Sequence, residues 1–330
     1  MRHDIHICMK AVVTINLLLL ILHASITPVE AASSSPRLPG LSTISEADIR
    51  EYAIAFVNMS TSPGLEGATL TVDNDRRQSD QWRSSLGFNA EFTLKNHIFN
   101  GYWGMAIVGG RLEDTIELIA DNGKPVALDI TRDVVGLRGS LGLSFPIDKY
   151  FKLRPFMSLI LSHLQSDLIL DDQLVQDYNL PTNRIKATAE MWSGVGTLEA
   201  LYNRWYGNYQ LEVSAQYQLN YTDSFSEDNP ILDTQVWNDA AQFNVMFTGP
   251  TRLSSAGRPW RWNTYANYVN FLSTNKTALG YDSYLEVGVG LDWEMNIKPL
   301  DWFGWQYLGI KAGVIGGENI EGYSVGLTAR

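Results

Sequence analysis

Histidine is the side chain most often used as a general base near neutral pH, and this 330-residue sequence contains only five. Outside the first 31 residues the histidines are His97 and His163. A dyad of His163 with Asp171 or Asp172 in the adjoining loop would suit the hydrolysis of a lipid or a peptide. The sequence favours the simpler interpretation, in which a surface histidine lies beside a solvated acidic loop.

The same acidic loop could bind a hard cation, because carboxylate oxygens are the ligands that Ca²⁺ prefers. Its acids follow neither the spacing of an EF-hand nor that of a nonapeptide repeat, which favours a plain charged loop; they are Asp167, Asp171, Asp172 and Asp177. Two histidines and a single cysteine, Cys8, also argue against a transition-metal site. We therefore predict no catalytic residue, no cofactor and no metal site.

Residues 1–31 are predicted to form a secretory signal peptide. It has a basic start that ends at Lys10, an apolar run over residues 11–22 and a small-residue cleavage signal before Ala32. The apolar run is shorter than the roughly 20 residues that a spanning helix needs, so a membrane anchor is the weaker interpretation. Residues 32–45 are expected to form a leader.

Charge and composition limit the class of protein. The formal net charge is −11 and no basic stripe occurs, which argues against nucleic acid as a partner. Hydrophobic residues make up 45% of the chain and the mean hydropathy is −0.11, which suits a globular protein or a barrel better than a helical membrane protein. The chain contains 27 Gly, 15 Tyr and 10 Trp, and such aromatic-rich sequence is common in barrels that face lipid.

Side-chain polarity alternates without a break over residues 284–296. One set is apolar and the other is acidic or small: Leu285, Val287, Val289, Leu291, Trp293 and Met295 against Glu286, Gly288, Gly290, Asp292, Glu294 and Asn296. In a strand the two sets point to opposite faces, over about 40 Å. One face must then meet water and the other an apolar medium, as in the wall of a transmembrane β-barrel.

The same period of two recurs from Ala68 to the C-terminus and predicts twelve strands. They are residues 68–72, 85–94, 99–108, 135–145, 151–164, 185–202, 209–221, 234–248, 260–272, 284–296, 305–314 and 322–330. Before them, Ile49, Tyr52 and Phe56 follow a helical spacing within residues 46–58. The predicted fold class is all-β, a 12-stranded antiparallel transmembrane barrel over residues 68–330 with this amphipathic helix in its lumen.

Connection lengths nearly alternate, as expected for short periplasmic turns and long external loops. Short connections are predicted near residues 96, 148, 203 and 300, and longer ones at residues 74–82, 112–133, 165–184 and 223–232. The connection at residues 249–259 falls at the short-turn end although it is long. An aromatic girdle is expected at that end, formed by Trp205, Trp260, Trp262, Trp302 and Trp305.

A charge on the lipid face near the bilayer midplane costs roughly 2 to 4 kcal/mol for Arg or Lys, so charged strand residues are expected to line the lumen. The predicted lumen-lining residues are Glu91, Arg138, Lys152, Arg154, Glu212, Glu286, Asp292, Glu294 and Lys311. Because both signs occur, a network of ion pairs that holds barrel and plug in register is favoured over a selectivity lining for a solute.

A signal peptide, one amphipathic helix and twelve alternating strands resemble the translocator domain of autotransporters. With a leader of about fourteen residues and no passenger, the chain resembles the solitary autotransporter-like outer-membrane barrels, although it ends in Arg330 rather than in the aromatic residue usual there. The resemblance implies a monomer in the cell outer membrane, with outer-membrane lipid and the barrel-assembly machinery as partners. It implies a structural or helix-plugged pore protein, not an enzyme; the alternatives are a barrel hydrolase and an adhesin that binds through external loops.

Overall fold

The computed structural model describes residues 67–74, 77–94, 98–119, 125–170, 184–228, 232–233, 235–272, 281–295 and 306–329. The predicted signal peptide, leader and lumenal helix all lie outside these residues, so their boundaries at 1–31, 32–45 and 46–58 stay predictions. No helix with the length and hydrophobicity of a membrane span occurs in the described ranges.

Twelve antiparallel strands form a closed ring in the described part of the chain, which confirms the predicted fold class. Each strand pairs with its neighbours in sequence, and β1 pairs with β12 to close the barrel. The strands are β1 Gly67–Asn74, β2 Arg77–Thr93, β3 Asn100–Ile119, β4 Pro125–Pro146, β5 Phe151–Leu170, β6 Arg184–Tyr206, β7 Tyr209–Glu227, β8 Gln235–Ser255, β9 Arg258–Phe271, β10 Ser283–Glu294, β11 Tyr307–Gly317 and β12 Ile320–Ala329.

The barrel has two ends, which we call the lower and upper rims. At the lower rim β2, β4, β6, β8 and β10 end, and at the upper rim β1, β3, β5, β7, β9 and β11 end. Two described connections that were expected to be short, at residues 147–150 and 207–208, lie at the lower rim, but a two-residue turn also lies at the upper rim, at 318–319. Trp205 and Trp260 lie at the lower rim within three residues of a turn, while Trp302 and Trp305 fall outside the described residues.

Strand alternation separates two media. One parity is apolar and exposed around the wall, with Leu86, Ile107, Leu137, Leu141, Met157, Leu159, Val289, Val314, Val325 and Leu327 among its members. Met157 and Leu141 are each 71% exposed. An apolar surface that continues from strand to strand is not stable in water and is the surface that a bilayer covers. The barrel is therefore of the membrane-spanning kind.

The connection predicted at residues 249–259 is wrong, because most of those residues belong to strands. β8 continues to Ser255 and β9 begins at Arg258, with only Ala256 and Gly257 between them. Their φ angles are 52° and 73°, as a two-residue hairpin turn of this hand requires. The register shifts between Pro250 and Ser254, where the ladder accommodates a proline that has no N–H to donate.

The long loops predicted near the upper rim are also shorter than expected. Residues 112–119 and 125–133 pair with each other as the ends of β3 and β4, and β5 pairs with β6 as far as residues 169 and 184. These strand ends continue the sheet as hairpins above the apolar belt. Their outward residues, such as Glu113 and Asp129, are polar rather than apolar, which is why the sequence pattern indicates loops there.

β1 is the shortest strand in the described part of the wall. This strand has eight residues and pairs with Arg77–Ser84 of β2 and Ile320–Ser324 of β12. Below that level no described strand lies between the two neighbours, although β2 continues to Thr93 and β12 to Ala329. A cavity of about 760 Å³ opens at this seam, lined from both faces of the wall by residues that include Ser85, Leu86, Lys311, Gly326 and Leu327.

The turn between β8 and β9 gives a first prediction. Ala256 adopts the left-handed conformation, which costs an L-residue roughly 1 to 2 kcal/mol and which Asn adopts more readily. We expect Ala256→Asn to stabilise the folded barrel by about 1 kcal/mol. Urea unfolding in detergent micelles, followed by tryptophan fluorescence, measures the change. Ser255→Asn, one residue earlier in β8, is the control, and an equal effect of both variants would contradict the explanation.

Candidate functional site

All nine predicted lumen-lining residues lie on the buried parity of the wall. They do not form one site: Glu91, Lys152, Arg154 and Arg138 lie on β2, β4 and β5, whereas Glu286, Asp292, Glu294 and Lys311 lie on β10 and β11. Glu212 stands apart on β7, where its Oε1 accepts hydrogen bonds from Gln210 at 2.6 Å and Asn203 at 3.2 Å. The inner wall thus has two separate polar sectors.

Arg154 is the centre of the first sector. Its guanidinium donates to Glu91 at 2.5 Å and to Glu199 at 2.7 Å, and Lys152 Nζ lies 2.9 Å from the second oxygen of Glu91. We call these four residues the Arg154 cluster. Two acids and two bases leave it without net charge, and only 13% of the Arg154 side chain is exposed.

The Arg154 cluster crosses part of the lumen. Glu91 is on β2 and Arg154 is on β5, with β3 and β4 between them in the ring. Their ion pair therefore bypasses two strands. From its other side Glu199 accepts a hydrogen bond from Gln216 of β7 at 2.8 Å, so one network of side chains spans β2 to β7. A solute moving along the lumen would meet this network.

Aromatic and hydroxyl side chains support the cluster. The Arg154 guanidinium carbon lies 4.5 Å from the ring centroid of Tyr102, which in turn contacts Phe156 at 5.0 Å between ring centroids. Ser144 donates to Glu91 at 3.1 Å. Stacking on one face and hydrogen bonds at the edge hold a guanidinium in one orientation. The cluster is therefore a fixed part of the wall rather than a set of mobile charges.

Glu199 was not predicted, although it is one of the two acids that bind Arg154. Residues 185–202 alternate less regularly than the other strands, because Gly194 and Gly196 occupy outward positions where the other strands have apolar side chains. A signal was nevertheless present, because Glu199 has the same parity as the buried Ser193 and Thr197 of β6.

Tyr265 organises the second sector. Its hydroxyl donates to Glu286 Oε1 at 2.8 Å, and Ser324 donates to the same oxygen at 2.5 Å. Asn263 donates to Asp292 at 2.9 Å. Both carboxylates are fully buried. These bonds join β9, β10 and β12, so this sector ties together the strands next to the closure of the ring.

Two glycines make room for Tyr265. A Cβ at Gly288 would lie 2.5 Å from the tyrosine hydroxyl oxygen, and a Cβ at Gly313 would lie 2.6 Å from it. Both distances are well inside van der Waals contact, so a side chain at either position displaces the ring or the strand. The Lys311 ammonium lies 5.5 Å from the centroid of the same ring.

The inner face nearer the upper rim buries apolar side chains among polar ones, a mixture that the sequence did not predict: Leu112 pairs with the buried Arg132, and Ile130 pairs with the buried Asp114. Its buried apolar members include Leu70, Leu112, Leu128, Ile130, Leu164, Leu168, Met191, Phe271 and Ile315. Several of them come from the hairpin ends that were predicted as loops. Large apolar side chains are thus buried in the upper part of the interior beside charged and hydroxyl groups.

His163 lies on the outer, lipid-facing parity near the upper rim. Its Nδ1 is 2.8 Å from Glu190 Oε1 of the neighbouring strand, and both side chains are about half exposed. Asp167 pairs with Arg184 instead of facing His163. Asp171, Asp172, Asp177 and His97 lie outside the described residues, so the dyad with the loop aspartates stays a hypothesis. The sequence missed Glu190 because only the register of β5 and β6 brings it beside His163.

The Arg154 cluster gives a second prediction. Arg154→Gln leaves Glu91 and Glu199 without their shared cation in a poorly solvated site, and we expect a loss of about 3 to 5 kcal/mol in the free energy of unfolding. Arg111→Gln breaks an exposed ion pair with Glu113 and serves as the control, with an expected change within about 1 kcal/mol. Urea unfolding of both variants checks this, and similar losses would show that burial of the cluster is not the cause.

The Tyr265 sector gives a third prediction. We expect Gly313→Ala to destabilise the barrel by about 1 to 3 kcal/mol through overpacking, and Tyr265→Phe in the same chain to recover part of the loss because the displaced hydroxyl is gone. Gly139→Ala is the control, since a Cβ there meets nothing within 4 Å. A double-mutant cycle on unfolding free energies measures the coupling, and additive effects would contradict this contact.

No protein-family model matches the sequence, and no curated protein matches it. Among solved structures, the barrel is similar to the β domain of the Bordetella autotransporter BrkA, with 13% identity over 80% of this chain and 95% of that one and a TM-score of 0.48. It is also similar to the translocator domain of NalP from Neisseria meningitidis (12% identity, 86% and 95% covered, TM-score 0.49) and to the transport unit of AIDA-I from Escherichia coli (11% identity, 86% and 98% covered, TM-score 0.49). The described chain is a closed, twelve-stranded antiparallel barrel of the membrane-spanning kind.

Proposed function

We propose that the protein is an outer-membrane barrel that forms a narrow pore, closed by its own residues 46–58. The observation that carries this proposal is the Arg154 cluster, which crosses part of the lumen and is uncharged as a whole. A lumen narrowed by paired charges of both signs is a poor filter for one ion, because neither sign dominates the field there. The pore would then be small and weakly selective.

The outer membrane is proposed from three features taken together. The ring has an even number of strands, its outer parity is an exposed apolar belt, and the chain starts with a predicted signal peptide. Barrels of this kind satisfy every backbone hydrogen bond within the wall, as a bilayer requires.

Support for residues 46–58 as the plug comes from complementary surfaces. The apolar face predicted for this segment, which includes Ile49, Tyr52 and Phe56, would suit the apolar side chains that point inward near the upper rim. Residues 59–66 connect the segment to β1 and would span about 26 to 29 Å if extended. That reach is sufficient to place the segment anywhere along the lumen.

A conductance measurement tests the plug. In planar lipid bilayers we expect the full chain to show a small conductance and the variant that lacks residues 46–58 to show one that is severalfold larger. The control lacks residues 33–42 of the predicted leader and should conduct as the full chain does. Equal conductance in all three proteins, or none in any of them, would refute the plugged pore.

The lining of the pore can be tested separately. Glu91→Gln together with Glu199→Gln would leave Lys152 and Arg154 as unpaired cations in the lumen, so we expect the plug-deleted pore to become anion-selective. The reversal potential in a KCl gradient measures this shift. An unchanged reversal potential would mean that ions do not pass the Arg154 cluster.

A further inference from the structure

A group of basic and aromatic side chains covers the outer surface of the wall at the lower rim. Tyr202, Arg204 and Tyr206 have the outward parity of β6, and the turn that precedes β5 adds two neighbours. We call this group the rim cluster; it consists of Lys149, Tyr150, Tyr202, Arg204 and Tyr206. In a chain whose net charge is −11, two adjacent cations on this surface are unusual.

Both cations of the rim cluster stack on the same ring. Lys149 Nζ lies 4.4 Å from the ring centroid of Tyr150, and the guanidinium carbon of Arg204 lies 4.6 Å from it. Arg204 also lies 4.7 Å from the ring of Tyr206. Stacking uses the face of a guanidinium and leaves N–H groups at its edge for an acceptor. The hydroxyls of Tyr202 and Tyr206 form a hydrogen bond with each other at 3.2 Å, which leaves one of their two protons for a further acceptor.

The turn that carries Lys149 and Tyr150 is held rigidly. Asp148 Oδ1 accepts the backbone N–H of Tyr150 at 2.6 Å and that of Phe151 at 2.9 Å. The N–H of Asn203 donates to the Tyr150 carbonyl at 2.8 Å, which fixes the turn to β6. The two hydrogen bonds that Asp148 accepts from the backbone lower its pKa, so Asp148 is ionised near neutral pH. With Asp148 counted, the region carries one net positive charge.

Further up the outer face of β6, beyond Ala200 and Leu198, lies an apolar trough. On β6 the outward positions Gly196 and Gly194 have no side chain, and the nearest atoms to a Cβ there would be 3.9 Å and 3.5 Å away. The register places Met157 and Leu159 of β5 beside these glycines. Both apolar side chains are more than half exposed. A flexible hydrocarbon chain could lie over the glycines between such flanks.

We propose that the rim cluster binds the phosphodiester of a membrane glycerophospholipid, with one acyl chain in the trough over Gly194 and Gly196. One net positive charge suits a singly charged phosphodiester, and a planar guanidinium binds two of its oxygens at once. A cationic rim below an apolar trough fits an amphiphile better than it fits a free anion. This site rests on the proposed membrane location of the barrel.

Lipid binding by the purified barrel tests the site. The folded protein is delipidated in detergent and titrated with phosphatidylglycerol, and bound lipid is counted by native mass spectrometry. We expect Lys149→Gln combined with Arg204→Gln to weaken binding at least tenfold. Arg258→Gln is the matched control, because Arg258 is another cation at the lower rim, 5.6 Å from the ring of Trp293, and its loss should leave the affinity unchanged.

Two further ligands separate phosphate recognition from general adhesion. Diacylglycerol with the same acyl chains should bind at least tenfold more weakly than phosphatidylglycerol, and inorganic phosphate should fail to displace the lipid. Equal binding of diacylglycerol would reduce the site to an apolar surface, and displacement by inorganic phosphate would make it a free-anion site; either result overturns the proposal. Gly196→Leu should fill the trough and weaken phosphatidylglycerol without removing a charge.

The same variants show which proposal fails if binding is not seen. Each is inserted into liposomes and checked by its shift in gel mobility on boiling, which reports a folded barrel. A wild-type chain that does not insert would contradict the membrane location itself. A wild-type chain that inserts but binds all lipids equally, or a double variant that binds as the wild type does, contradicts the phospholipid site alone.

Discussion

Backbone hydrogen bonding within the wall is the constraint on which this structure depends. Hydrocarbon offers no partner to an N–H or C=O group, so a sheet in a bilayer must satisfy these groups between its own strands. The ring meets this demand most fully on the β3 to β6 side, where β3 and β4 pair over twenty positions. Once the ladder is made, strand parity alone decides which medium a side chain meets, and it separates the exposed Met157 from the buried Glu286.

The two polar sectors of the inner wall solve the same problem in different ways. Around Arg154, long side chains of opposite charge form ion pairs across the intervening strands. These ion pairs fix the position of the strands in that part of the wall. Around Tyr265, short hydroxyl and amide groups bind carboxylates on neighbouring strands, and Gly288 and Gly313 provide the room. The first arrangement narrows the interior, whereas the second ties together the strands next to the closure. Because the two sectors are separate, the charged residues of the inner wall do not form one site.

Much of the fold can be predicted from the period of two, because that pattern follows from strand geometry itself. The nine charged residues, including Glu294 at the end of β10, share the buried parity of their strands, and their role as a lumen lining stays a prediction. The hairpin ends near the upper rim were not predicted, because the polarity of the two faces is reversed there: Leu112 and Leu128 face inward, while Glu113 and Asp129 face outward. The partners of Glu190 and Glu199 depend on register and on contacts past intervening strands, which no local pattern contains. The turn at Ala256 was hidden because Ala rarely adopts a positive φ.

The shortness of β1 makes the barrel mechanically uneven. β1 is joined to β12 through only five residue pairs, a quarter of the number that joins β3 to β4. Because this strand pair has the fewest hydrogen-bonded residue pairs of the described ring, heat, denaturant or lateral pressure in the bilayer should separate β1 from β12 before any other pair of strands. Gly67, the first described residue of β1, lies about halfway up β2, because its partner there is Ser84. Whatever precedes Gly67 is thus tethered to the weakest line of the cylinder, and force applied to it would act first on that joint.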